Sequence, residues 1–188
     1  MCIGAYTVVI SANEPPDLAD PKVTGANAWL PAVRIYLAII AVGNLIWEAA
    51  HLPFYTIWTT GTMREQAFAV VHCTGGDLLI ATSSLVIGLI LVGDSQWPGR
   101  RFLHVAGLTM LLGVGYTIFS EWVNIIIRQS WAYSDLMPVV TILGFKVGLS
   151  PVFQWIIIPS FAFWMAARYS SDIEVLAESS RPKRFITQ

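Results

Sequence analysis

Residues 29–55, WLPAVRIYLAIIAVGNLIWEAAHLPFY, decide the fold. Residues 32–52 form an apolar run of the length a membrane-spanning helix needs, about 20 residues, with Arg34 and Glu48 as its only full charges. Pro53 is the expected stop, because its ring and missing N–H break a helix. The far end of the run is the anomaly. Asn44, Glu48, His51 and Tyr55 follow at spacings of four, three and four, which places all four on one helical face. Glu48 and His51 form Glu-x-x-His, the i, i+3 pair by which metal-binding helix bundles offer two ligands from one turn. A helix end dipping into the headgroups would explain both residues without a site, since ionisable groups near helix ends cost less than central ones. The rest of the chain weighs between the two.

The 188 residues are 55% hydrophobic and only 12% charged, about half the charge fraction of a soluble domain. Mean hydropathy is +0.62, so most of the length is expected in lipid. Net charge is −1, which gives no basic field for nucleic acid. Cys2 and Cys73 lie far apart without a C-x-x-C partner, so neither a disulfide framework nor a structural zinc cluster is on offer. Residues 1–10 are apolar but lack a basic region before them, and acidic, Pro-rich sequence follows at once. They are therefore expected to be retained rather than cleaved as a signal.

Three more apolar runs follow, at residues 67–92, 102–127 and from 151 to 168, the last interrupted by Pro159. Turn-rich sequence at 93–99 separates the second from the third. Residues 128–150 are too polar at first, and then too broken by Gly144 and Gly148, to span. The expected architecture is an all-α integral membrane protein, an antiparallel four-helix transmembrane bundle with an interfacial or re-entrant segment before the last helix. Three parts follow: a polar N-terminal tail (1–29), a four-span transmembrane domain (30–168) and a C-terminal tail (169–188). With four spans, Lys22, Arg34, Arg100, Arg101, Arg168, Arg181, Lys183 and Arg184 share one side, against Arg64, Arg128 and Lys146 on the other. The positive-inside rule then puts both termini in the cytoplasm of a bacterial inner membrane.

That topology brings polar residues of all four spans to one level in the outer half of the bilayer. Glu48 and His51 come from the first span, His72 and Asp77 from the second, Glu121 and Asn124 from the third and Gln154 from the fourth. Glu48, His51, His72 and Glu121 are the expected ligands of a divalent ion such as zinc, iron or manganese. Glu48, Glu121 and Asp77 are the candidate catalytic carboxyls, with Asn124 and Gln154 orienting cofactor or substrate. Two histidines on neighbouring helices also admit a bis-histidine haem b, although three nearby carboxylates suit it less. His72 and Asp77, five residues apart, lie about 140° from each other around a helix, so one of them is expected to point away. Cys73 and Asp77, four apart, share a face. The stripe Thr117, Glu121, Asn124 and Arg128 offers Arg128 as a counter-ion that would tie Glu121 to the loop. His104, beside Arg101 at the opposite surface, is given no role.

The function expected from this pattern is a metal-dependent or acid–base membrane enzyme acting on a lipophilic or small substrate. The alternatives are a transporter or metal-delivery or accessory subunit of a larger membrane complex, a haem-binding electron carrier, and a structural subunit whose polar cluster only locks helices. Expected partners are the lipid bilayer, a lipophilic small molecule and further copies or other subunits in an oligomer.

Overall fold

The computed structural model describes residues 29–142 and 144–179, with side chains to residue 169. The expected polar tail at 1–29 lies almost wholly outside these residues, as does 180–188. The first helix, α1, spans Trp29–His51 and passes into a short 3₁₀ turn at Leu52–Phe54 that contains Pro53. A single helical turn, α2, follows at Ile57–Thr60. Helix α3 runs Met63–Val92 and starts on a capping box. The Glu65 carboxylate accepts the Thr62 N–H at 2.8 Å, while the Glu65 N–H reaches the Thr62 hydroxyl at 3.3 Å; two N–H groups that a helix start leaves unpaired are thus satisfied. Helix α4 spans Phe102–Trp122 and widens into a π turn at Val123–Ile127.

The connection before the last helix is a β-hairpin, an element the all-α expectation did not contain. Strands β1 (Val139–Ile142) and β2 (Phe145–Gly148) pair antiparallel, from Val139 opposite Gly148 to Ile142 opposite Phe145. Gly144 takes φ +87° in the turn, a conformation costly for residues with a Cβ. The final helix, α5, covers Leu149–Ser179 and includes Pro159. It runs ten residues past the expected boundary at 169. Polarity marks where a span leaves the lipid but does not stop a helix that is already nucleated.

Among the described residues four helices are long and apolar enough to cross a membrane: Trp29–Phe54, Met63–Val92, Phe102–Ile127 and Leu149–Tyr169. Their outward faces carry exposed Val42, Ile46, Leu79, Ile90, Leu103 and Leu111, surface that lipid rather than water suits. Helix α1 packs on α3 and α5, and α4 packs on the same two, closing a ring. Between apolar helices in lipid the drive is close packing rather than water exclusion, and small residues permit it. On α3 the seam runs through Ser84 and Gly88, where a Cβ on Gly88 would come 2.9 Å from Thr109 Oγ1 of α4.

Candidate functional site

The buried face of α1 is a single stripe: Ala32, Tyr36, Ile40, Asn44, Glu48 and His51. Its last three members meet the start of α5 and the first half of α3. The Gln154 amide, 2% exposed, donates toward Asn44 Oδ1 at 2.8 Å, Glu48 Oε1 at 2.9 Å and Asp77 Oδ2 at 3.0 Å. The Asn44 amide nitrogen is turned back to the Ile40 carbonyl at 2.8 Å, so its oxygen is the atom that faces Gln154. The Asp77 carboxyl also meets the Glu48 carboxyl and the Trp155 indole. His51 lies between two partners: Nε2 is 3.0 Å from Glu48 Oε2 and Nδ1 is 3.1 Å from Ser150 Oγ. Ser150 Oγ also accepts the Trp47 indole N–H at 3.2 Å. With that acceptance made, the Ser150 proton is free to point at Nδ1, and the remaining N–H of a neutral His51 is aimed at Glu48.

Glu121, 5% exposed, is reached from the other side by two phenols. Tyr133 donates to Oε2, and the Tyr55 hydroxyl lies 3.4 Å from Oε1. The Gly148 N–H donates to the Tyr133 oxygen at 2.7 Å. A Cβ at Gly148 would come 3.0 Å from the Tyr133 ring and from Met137 Sδ, so a side chain there would press the phenol by a few tenths of an ångström. The two phenols are positioned by stitching between loops. The Thr56 N–H bonds Ala132 O and the Ser134 N–H bonds Phe54 O, both at 2.9 Å. Burial, then the Glu121 charge, holds both phenols above the ordinary tyrosine range. The two halves of the site touch through the edge-on His51 and Tyr55 rings, 5.4 Å between centroids.

Of the expected site residues, the structure brings together Glu48, His51, Asp77, Glu121 and Gln154. It leaves out His72 and Asn124. His72 is on the exposed side of α3, stacked on Phe68 at 5.4 Å; the 140° offset from Asp77 allows only one of the pair inward, and Asp77 takes that place. His72 is therefore no ligand beside His51, and His104 is exposed as well, so no second imidazole stands opposite His51 to clasp a haem. Asn124 returns its amide to its own helix, to Ser120 O at 2.9 Å and Ser120 Oγ at 3.2 Å. Arg128 does not pair with Glu121: among the described residues the arginine–carboxylate pair is Asp94–Arg100, and Glu48 has the His51 ring at 3.0 Å. The π turn at Val123–Ile127 shifts the helical phase between Glu121 and Arg128, and Arg128 is exposed. Tyr55 reaches the site from extended backbone (φ −119°, ψ 149°) rather than from the helix expected to carry it.

Three participants, Ser150, Tyr133 and Trp155, were not among the expected site residues. Ser150 precedes Pro151 at the start of α5, a helix-start signal, whereas nothing in local spacing marks the other two. Among the described residues no group of three or more His, Cys, Asp or Glu side chains is arranged to hold a metal ion. Both His51 nitrogens already have partners, which is why the Glu-x-x-His pair does not present two free ligands. No protein-family model, curated protein or solved structure matches the chain.

Proposed function

We propose that this polar end of the helices is an intramembrane acid–base site acting on a lipophilic or small substrate, set in the outer half of an antiparallel bundle with both termini cytoplasmic. One observation carries the reading: three carboxyls, Glu48, Asp77 and Glu121, converge with a single imidazole, and no lysine or arginine pairs with any of them among the described residues. Buried carboxylates need an opposing charge or a proton. The His51 imidazole stands beside Glu48, one proton answers the Glu48–Asp77 pair, and Glu121 is met by the two phenols that donate to it. The donor count agrees. The Gln154 amide has two hydrogens for three acceptors within 3.0 Å, so a proton between Glu48 and Asp77 supplies the missing donor, as in other paired carboxyls.

In this reading Glu48 and Asp77 store a proton and His51 exchanges it, its ring held by Ser150 Oγ. Glu121 takes or gives a proton through the phenols that face it. The reading draws on the same charge count that made a metal attractive, and elemental analysis separates the two. The test is infrared spectroscopy of the protein in lipid nanodiscs, with metal analysis of the same sample. A protonated-carboxyl C=O band at neutral pH, lost in Asp77→Asn and in Glu48→Gln, is the expected result. A stoichiometric divalent metal that Asp77→Asn releases, or no protonated-carboxyl band at all, would overturn the proposal.

A further inference from the structure

A cleft of about 690 Å³ opens between the π turn and the hairpin, within the range of small-molecule sites, roughly 300–1,000 Å³. Its walls are largely aliphatic and aromatic, from Ile125, Ile126, Met137, Val139 and Phe145. Tyr133 also lines it, and Tyr133 is the residue whose phenol bonds Glu121. The cleft and the carboxyl cluster thus share one side chain.

The valences of that phenol say what else it can bind. A tyrosine hydroxyl offers one proton and two lone pairs. The proton goes to Glu121 Oε2, and one lone pair receives the Gly148 N–H. One acceptor position remains, so a ligand meeting Tyr133 must arrive as a hydrogen-bond donor. Asp135 and Lys146 stand on the same cleft with opposite charges, both exposed. Together they favour neither a cationic nor an anionic ligand, and the apolar walls favour a neutral one.

We propose that this cleft binds a neutral lipophilic alcohol and that Tyr133 is its hydrogen-bond acceptor. The inference rests on the acid–base reading of the carboxyl cluster for what the bound alcohol meets, a phenol already bonded to Glu121. The ligand O–H donates to the remaining lone pair of Tyr133 Oη while the Tyr133 proton stays in its bond to Glu121 Oε2, so the alcohol binds neutral and keeps its proton. Tyr133 touches the ligand, and the Gly148 N–H positions its phenol.

The experiment is photolabelling in lipid nanodiscs with a diazirine-bearing long-chain primary alcohol and, in parallel, its methyl ether. The alcohol should label residues 133–146 about five-fold more strongly than the ether, the worth of one net hydrogen bond. Tyr133→Phe should bring the alcohol down to the ether level. Val139→Trp, at a half-exposed position on the cleft wall, should lower labelling by both without touching the phenol. Equal labelling by the two probes in the unmodified protein would overturn the inference, and so would labelling by both that is insensitive to Val139→Trp. Failure here is distinct from failure of the acid–base reading. The infrared carboxyl band reports on Glu48 and Asp77 whatever the probes do, and a five-fold ratio without that band would defeat the acid–base reading alone.

Discussion

The two ends of the four-helix assembly are built on the same buried stripes with opposite chemistry. On α1 the stripe is Ala32, Tyr36 and Ile40 in its first half, then Asn44, Glu48 and His51. On α5 it begins with Ser150 and Gln154 and continues with Ile158, Ala162 and Ala166. On α4 it passes from Val105 and Ala106 through Thr109 and Gly113 to Thr117 and Glu121. At the apolar end, aromatic rings fill the space: Tyr36 on Phe163 at 4.6 Å, Phe163 on Phe102 at 5.7 Å, and Phe102 on Trp97 at 6.3 Å. At the polar end, Gln154, Asn44, Glu48, Asp77, His51 and Ser150 are linked by hydrogen bonds. The Gly113 position lies between them, where a Cβ would run into the Trp155 ring whose indole serves Asp77. The difference separates two jobs. Ring packing holds one end together, even with the Tyr36 hydroxyl and the Trp97 indole N–H buried there without a hydrogen-bond partner among the described residues, and at the other a carboxyl-rich network is tolerated because the first end holds the helices.

If that division is right, the larger stability loss comes from the end without chemistry. Ile40 is fully buried, and Ile40→Ala should cost about 2–5 kcal/mol, the usual range for emptying a packed site. Unfolding in detergent or by steric trapping measures it, and the infrared carboxyl band should be unchanged. A loss of the band would show that the two ends are one cooperative unit and would break the comparison.

A middle-sized effect is expected from Ser150→Ala. It removes the oxygen that holds both His51 Nδ1 and the Trp47 indole N–H. The cost should be about 1–3 kcal/mol, the penalty of leaving a buried polar group unsatisfied. The sharper readout is the site: the His51 ring loses its orienting partner, so its ring-nitrogen NMR signals should move while the apolar end keeps its melting behaviour. Unmoved histidine signals would mean that Ser150 only fills space.

The four spans were legible because hydropathy is a property of each residue alone, and about 20 apolar residues admit few structures in lipid. The polar level was legible from α1, where spacings of four and three repeat through His51, and from Gln154. Three things were not. The inward choice between His72 and Asp77 depends on how α3 is rotated against α1, which spacing within α3 does not state. The phase shift that removes Arg128 and Asn124 from Glu121 comes from a π turn with no local sequence mark. The hairpin at Val139–Gly148 delivers Tyr133 and Gly148 from far along the chain, and its alternating strands are short enough to look like broken span.

The smallest effects separate the three histidines. His104→Ala and His72→Ala should each stay within about 0.5 kcal/mol of the parent, as exposed substitutions do, and neither should move the carboxyl band. His72 gives up only a stack on Phe68, and His104 has no partner among the described contacts of the polar network. His51→Ala should leave the protein inserted but shift the band, since the Glu48 carboxyl loses its imidazole and can stay buried by taking a proton instead. The helices then survive because a proton on Glu48 substitutes for the lost imidazole N–H, while the apolar end is untouched. Should His72→Ala and His51→Ala shift the band alike, His72 would have to face the carboxyls, and α3 would have to be rotated by a large part of the 140° that separates His72 from Asp77. That rotation would turn Asp77 out of reach of Gln154 and remove one of the three carboxyls on which the acid–base reading stands.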